Sequence, residues 1–508
     1  MAPVGAFVTR APARLADLVG GLPVAGAFPP NLRVSGVAHD SRRVEPGDLF
    51  VAWGGAKHDG RSFAAQALER GAVAVLADGP APGAASDSAS AAPWLTAAEP
   101  RRLLAPIAAR LYAHPDRELC LIGVTGTNGK STTIALLASL LEAAGKPCGT
   151  MGTLGYAFGG RSYPGDRTTP EASDFFGTLR AMRDAGAEAV AMEVSSHSLA
   201  QGRVAGAAFD LAIFTNLTRD HFDFHEDFAG YFAAKRKLFG QLKAGGRAAV
   251  NLEDEHGQLL ARELPRVTTF GGDGDVRAGA VELDAEGIRG VLKTPRGDFP
   301  FVSPLLGRYN LQNLLAAVAG AEALGLDHGA IARGIAARGP LPGRMDPVRA
   351  GQEFPTVVDY AHTDAALVAA LESLRELSRR KVVVVFGCGG DRDPGKRPLM
   401  GEAAGRLADL PIATSDNPRS EDPQAILRAV ETGLKASGNT AYRIVPDRRE
   451  AIRRAVAIAA AAPAEWAVLV AGKGHESEQI IGSQRLPFSD RDELTKALEE
   501  RRGPAARG

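Results

Sequence analysis

The 508-residue chain reads as an α/β protein of three domains, the central one built on a P-loop-type, mostly parallel sheet and the last one Rossmann-like. Three observations carry that reading. The length accommodates roughly two to four domains at ~150 residues each. Short apolar strand patterns alternate with longer helical ones through the central and C-terminal parts, as βαβ units require. Residues 123–133, Gly-Val-Thr-Gly-Thr-Asn-Gly-Lys-Ser-Thr-Thr, form a Gly-rich turn between a strand pattern and a helix pattern.

Taken in order, residues 79–93 are a run of Gly, Pro, Ala and Ser that reads as a loop. Leu95 to Leu111 still reads as strand plus helix, so the first boundary is set near 116. Leu119 to Val124 is an apolar strand. In the helix that follows, Ile134, Leu137, Leu140 and Leu141 recur on one face and Gly145 marks the stop. Further strands are expected at Ala189–Val194 and Asp210–Asn216. The breakers Gly339-Pro340-Leu341-Pro342-Gly343 place the second boundary, giving domains 1–116, 117–340 and 341–508. Beyond it, strands are expected at Thr356–Asp359, Lys381–Phe386 and Trp466–Ala471, with helices at Ala365–Leu377 and Arg448–Ala462. The Val-rich Lys381–Phe386 run suggests burial on both faces of a parallel sheet.

Lys plus Arg and Asp plus Glu are 59 each, so no overall field draws the chain to nucleic acid or to an anionic membrane. Cys120, Cys148 and Cys388 are too few and too unevenly spaced for a disulfide framework. Arg10, Arg14 and Asp17 interrupt the N-terminal segment, and no stretch reaches the ~20 apolar residues needed to span a bilayer. The expectation is a soluble, cytoplasmic, monomeric protein acting on small molecules.

The Gly-rich turn predicts phosphate chemistry. Gly126 and Gly129 let backbone N–H groups approach phosphate oxygens, Lys130 reaches the outer phosphates, and Ser131 offers a hydroxyl to Mg²⁺. Val124 stands where the common loop has its first glycine, so the loop is a variant. Three polar clusters follow: Met192 to His197, Thr215 to His225, and Ala233 to Lys237. Two of them emerge just past strands, where open parallel sheets place their ligands. Glu193 and His221 are a hard carboxylate and an imidazole suited to metal. Simpler readings stand beside these: a satisfied histidine, a helix-surface lysine at 235, and turn material at Thr168 and Thr169.

Gly126 to Thr132, Glu193 to His197 and Asn216 to His225 together resemble the Mur ligase family, which builds the peptide stem of bacterial peptidoglycan. So do Asp40 to Phe50, Gly343 to Asp346, Asp359-Tyr360-Ala361-His362-Thr363, Gly387 to Asp393, Asp416-Asn417-Pro418-Arg419 and Gly472 to Glu476. The series covers nearly the whole chain in order. The resemblance implies an ATP-dependent amide ligase that makes an acyl phosphate and passes the acyl group to an amine. It implies nucleotide contacts from Gly126, Thr127, Asn128, Gly129, Lys130, Ser131, Thr132, Asn310, Asn313, Arg344 and Asp359, with His362 nearby. Mg²⁺ would be held by Ser131, Glu193, His221 and a carbamylated Lys235.

In the same way the resemblance implies that Ser41, Thr168, Thr169, Ser195, Gln201 and Arg203 bind a UDP-muramyl-dipeptide across the first two domains. Arg392, Asp416, Asn417, Pro418, Arg419, Gly472 and Glu476 would hold the incoming amino acid. The arginine of Asp-Asn-Pro-Arg points to meso-2,6-diaminopimelate, whose second carboxylate suits a bidentate fork. Lysine or ornithine addition, or a ligase like folylpolyglutamate synthetase, are the alternatives. The family's usual Tyr-Ala-His-Thr-Pro-Asp lacks its proline here, where Asp364 follows Thr363.

Overall fold

A computed structural model describes residues 11–55, 59–81, 92–163, 165 and 167–502; residues 82–91 of the small-residue run lie outside them. The first domain carries four parallel strands, β1 (Gly36–Ala38), β2 (Asp48–Val51), β3 (Ala74–Ala77) and β4 (Trp94–Thr96), side by side in that order. Pro100 opens the next helix, α1 (Pro100–Leu111), where its missing N–H costs nothing.

The central sheet has eight strands. They are β5 (Cys120–Thr125), β6 (Cys148–Gly152), β7 (Gly155–Phe158), β8 (Arg161–Tyr163), β9 (Ala189–Glu193), β10 (Phe209–Phe214), β11 (Leu242–Asn251) and β12 (Val267–Phe270), ordered β8-β7-β6-β9-β5-β10-β11-β12. All neighbours run parallel except the β7 and β8 pairings at one edge. Side-chain alternation explains why these strands are apolar on both faces. Leu121, Val190, Met192 and Phe214 enter the core on one side, while Ile122, Val124, Ala191 and Ile213 enter the other. The second side is covered by helix α2 (Lys130–Ala143) through Ile134, Leu137, Leu140 and Leu141, the residues whose spacing predicts that face.

Two further helices of this domain bear on the site, α3 (Ser196–Ala200) and α4 (Phe228–Arg236). A three-stranded antiparallel sheet that the sequence reading does not anticipate, β13 (Arg277–Asp284), β14 (Gly287–Lys293) and β15 (Phe299–Ser303), follows before helix α5 (Arg308–Ala323).

The C-terminal sheet is ordered β16-β17-β21-β18-β19-β20, from β16 (Asp346–Pro347), β17 (Thr356–Asp359), β18 (Lys381–Phe386), β19 (Leu410–Ala413), β20 (Arg443–Ile444) and β21 (Trp466–Ala471); only the β16–β17 pair is antiparallel. Val382, Val384 and Phe386 feed one core and Val383 and Val385 the other, so the Val run is buried on both faces as expected. Helix α6 (Asp364–Ser378) starts directly after Thr363, whose hydroxyl accepts from Ala366 N at 3.2 Å. Asp364 takes the first helical position, which tolerates proline and favours an acid, so the missing proline costs the helix nothing there.

Candidate active site

β5 ends at Thr125 with Val124 fully buried in the sheet, so no glycine is needed at that position. The turn tightens only at Gly126 (φ 149°) and Gly129 (φ 87°). A Cβ at Gly126 would lie 1.9 Å from Thr215 Oγ1, and one at Gly129 would lie 2.2 Å from Asn313 Oδ1. The end of β10 grips the loop: Thr127 N donates to Asn216 O (2.8 Å), Asn128 N to Asn216 Oδ1 (2.9 Å), and Thr215 Oγ1 to Asn128 O (2.6 Å). This is why β10 stops at Phe214, two residues short of the strand the sequence predicts.

Lys130 Nζ donates to the carbonyls of Gly126 (3.0 Å) and Thr127 (2.8 Å), folded over its own loop, and burial lowers its pKa. Ser131 Oγ donates to Glu193 Oε1 at 2.8 Å and accepts from Arg344 Nη2 at 3.1 Å. Glu193, at the end of β9, also accepts from Thr153 N (2.8 Å) and Thr153 Oγ1 (3.2 Å). His221 sits in a left-handed conformation (φ 59°) with Nε2 3.3 Å from Asp220 Oδ2, and burial pushes its pKa down to about 3.

Lys235 is 1% exposed on α4, so the helix-surface reading of this residue is wrong. Its Nζ donates to Gly126 O at 2.7 Å and lies 4.4 Å from the Tyr231 ring centroid. Burial first, and then the charge of Lys130, hold its pKa well below the ordinary lysine value.

Among the described residues, no three His, Cys, Asp and Glu side chains gather into a metal cage. The hydroxyl of Ser131, the carboxylate of Glu193 and the imidazole of His221 nevertheless line one cleft beside the loop. That donor set fits an Mg²⁺ that takes its remaining ligands from phosphate and water. Lys235 as an amine offers no oxygen to such an ion.

The cleft measures about 340 Å³ and lies between the central and C-terminal domains. Of the expected nucleotide residues, Thr127, Asn128, Gly129, Lys130, Ser131 and Arg344 line it. Gly126, Thr132, Asn310, Asn313 and Asp359 lie outside its lining. Asn310 Nδ2 donates to Leu306 O (2.8 Å) and Asn313 Nδ2 to Asn310 Oδ1 (3.0 Å). The Asp359 carboxylate accepts from Tyr309 OH (2.6 Å), Met345 N (2.7 Å) and Ala361 N (2.8 Å), and burial raises its pKa.

On the C-terminal wall stand Arg392, Asp416, Asn417, Arg419, Gly472 and Glu476. Asn417 is the hub. Its Nδ2 donates to Glu476 Oε2 (2.8 Å), and its Oδ1 accepts from Lys473 Nζ (3.0 Å) and Ile480 N (2.9 Å). Arg419 (φ 51°) follows Pro418, donates to Gly390 O at 2.7 Å, and has its pKa lowered by burial.

The residues expected to hold the UDP-linked substrate divide. Thr168 and Ser195 line the cleft. Thr169 Oγ1 donates to Glu193 O (2.9 Å) and accepts from Ser195 N (3.0 Å), while Ser195 Oγ caps α3 through Ser198 N (3.2 Å). Gln201 and Arg203 form a separate basin with Arg101, Arg167 and Glu171. Arg101, Arg167 and Arg203 all lie within 3.0 Å of Glu171 Oε1, and burial lowers the Arg203 pKa to about 10. Arg101 is a residue of the first domain, 5.3 Å over the Trp53 ring, and its bonds to Glu171 (2.9 Å) and Gln201 (2.8 Å) tie that domain to this basin. Ser41 is in that domain, bonded to Gln66 Oε1 at 2.6 Å, away from the cleft.

The sequence reading holds Asp220 and Lys473 inside its motifs without giving them a role, and passes over Thr153 and Lys396. Lys473 stands between two glycines, and Lys396 opens a helix after Pro394 and Gly395, which are detectable signals. Thr153 has none, because only the β6 edge brings it to Glu193.

Three family models match: the Mur ligase family catalytic domain at residues 33–112, the Mur ligase middle domain at 124–321, and the Mur ligase glutamate ligase domain at 343–474. The UDP-N-acetylmuramoyl-L-alanyl-D-glutamate–2,6-diaminopimelate ligase of Geobacter metallireducens is 43% identical, over 92% of this chain and 95% of its own. The protein of that name from Geobacillus thermodenitrificans is 44% identical over 91% and 94%. A solved structure of a ligase of the same name superposes with a TM-score of 0.66 at 33% identity, covering 97% of this chain and all of the other.

Proposed function

The chain belongs to the Mur ligase family, and we propose that it joins meso-2,6-diaminopimelate to UDP-N-acetylmuramoyl-L-alanyl-D-glutamate at the expense of ATP in peptidoglycan synthesis. One observation carries the assignment beyond the family. A single cleft has a nucleotide loop on one wall and Asn417, Arg419 and Glu476 on the other. A nucleotide switch would need the first wall and no use for the second.

The chemistry proceeds in two steps. A substrate carboxylate oxygen takes the γ-phosphoryl group, giving an acyl phosphate and ADP. The amine then attacks the acyl carbon, the C–O bond to phosphate breaks, and the amine loses a proton. Lys130 and Arg344 offset the anionic charge gathered in the first step. Ser131, Glu193 and His221 would hold Mg²⁺, which supplies Lewis-acid neutralisation of phosphate charge when bound.

Burial of Lys235 favours its neutral amine, the form that attacks carbon dioxide; the resulting carbamate, formed with loss of one proton, would give the oxygen donors that Mg²⁺ prefers. Arg203 is suited to the D-glutamyl carboxylate and Arg419 to the far carboxylate of diaminopimelate, with Glu476 facing its ammonium. The aspartate at 359, with its oxygens already engaged, serves ribose through rearrangement of Tyr309.

We assign substrate binding to residues 1–116, ATP to 117–340 and the amino acid to 341–508, in a cytoplasmic monomer. No helix among the described residues is long and apolar enough to cross a membrane.

The decisive experiment supplies diaminopimelate, lysine and ornithine separately with ATP and the UDP-muramyl-dipeptide and follows product mass. Diaminopimelate should give the tripeptide product. ATP hydrolysis indifferent to both co-substrates would sink the ligase reading.

A further inference from the structure

The segment Gly389–Gly395 carries Arg392 into the cleft and is tethered at both ends. On one side Gly390 N donates to Asn417 O (2.9 Å), Arg419 donates to Gly390 O (2.7 Å), and Ser420 Oγ donates to Asp391 Oδ1 (2.6 Å). Those bonds lock it to the Asp-Asn-Pro-Arg turn. On the other side the tether belongs to a different domain: Arg219 Nε donates to Asp393 Oδ2 at 3.2 Å. The guanidinium lies 4.8 Å over the Phe222 ring, which fixes its plane. It also rests against Gly395, where a Cβ would come within 2.7 Å of Arg219 Nη2. Asp393 is held in turn, with Oδ1 accepting from Gly395 N at 2.8 Å.

Arg219 is itself anchored beside the nucleotide loop, because its neighbour Thr218 donates N–H to Thr127 Oγ1 at 3.0 Å. A short path of contacts therefore runs from the phosphate loop through Thr218 and Arg219 to Asp393 and the Arg392 segment. Thr127, Thr218, Arg219 and Asp393 all stand outside the hydrophobic core clusters of the two domains.

We propose that Arg219 and Asp393 are positioning residues: their ion pair sets the Arg392 segment, and with it Arg419, at the distance from the phosphate loop that amino-acid binding requires. The proposal rests on the reading that the C-terminal wall binds the incoming amino acid. Side-chain exposure of 36% for Arg219 leaves the pair partly screened by salt, which limits what it adds to overall stability.

The test is a double-mutant cycle on the full-length enzyme with Arg219→Met and Asp393→Asn, reading KM for diaminopimelate, KM for ATP and thermal unfolding. Each single variant should raise KM for diaminopimelate at least about threefold, with the double variant no worse than either single one. KM for ATP should stay within about twofold, and Arg219→Lys should recover part of the loss because it keeps the charge. Singles whose effects multiply in the double variant, or that leave KM for diaminopimelate unchanged, would overturn the ion-pair role. If Asp393→Asn unfolds, the Arg219→Met and Arg219→Lys pair decides the matter by the same readout. An enzyme that took lysine instead would show the cycle in the KM for lysine, so failure of the substrate reading is separable from failure of this one.

Discussion

Ser131 donates its hydroxyl hydrogen to Glu193 at 2.8 Å while accepting a 3.1 Å bond from Arg344, a residue of the other domain. The hydroxyl that we propose the loop offers to a metal is thus oriented by a carboxylate behind it and a guanidinium across the cleft. Glu193→Gln retains the shape but replaces one carboxylate oxygen with a donor. Turnover should fall by about 10²–10³, with more Mg²⁺ needed for half-maximal rate, as measured by phosphate release against metal concentration.

Lys235 is deeply buried, and its depressed pKa means the folded state binds fewer protons there than the unfolded chain. The sign follows: below the unfolded lysine value the residue costs stability, and the cost fades as pH rises toward it. Lys235→Met should therefore unfold no lower than the wild type at neutral pH while losing activity. Calorimetry and product assay check the two halves. A lower unfolding temperature would show that the bond to Gly126 O outweighs the burial cost.

His362 lines the cleft and His475 packs 5.1 Å from the Tyr360 ring; both have pKa values pushed down to about 4, by burial first and then by Lys396 and Arg344 respectively. Both are neutral when folded and protonate readily when unfolded. Stability contributed by keeping them neutral is intact above about pH 6.5 and is lost as pH falls from there toward 4. Unfolding midpoints in denaturant should drop between pH 7 and pH 5, and His362→Gln should flatten that slope.

Arg419→Ala should abolish use of diaminopimelate while leaving ATP affinity within about twofold, since Arg419 bonds only within the C-terminal wall. Isothermal titration with a nonhydrolysable nucleotide, beside the product assay, separates the two. An unchanged amino-acid preference would refute the pocket assignment.

Arg448 and Asp490 form a fully buried pair at 2.7 Å, and Arg448 also donates to Ala471 O directly before Gly472. Arg448→Ala strands the Asp490 charge and should cost about 3–5 kcal/mol by denaturant unfolding. The joint replacement Arg448→Met with Asp490→Leu should recover most of that loss.

Period and punctuation were enough for much of this molecule. The alternation at Lys381–Phe386, the apolar face of α2 and the Gly126-to-Ser131 turn are local properties, because strand pleat, helix pitch and glycine freedom act over a few residues. The antiparallel sheet at 277–303 escaped notice because its half-exposed strands alternate weakly with charged residues.

From the sequence alone came the α/β class, the phosphate loop and the ordered polar motifs that mark the family. Tertiary structure decided the rest. It buried Lys235 against Gly126 O, engaged the Asp359 carboxylate with Tyr309, and brought Arg344 and Arg219 across a domain boundary to Ser131 and Asp393. Burial and pairing at sequence separations of 50 to 213 residues depend on how whole sheets dock, and no local pattern of side chains encodes that.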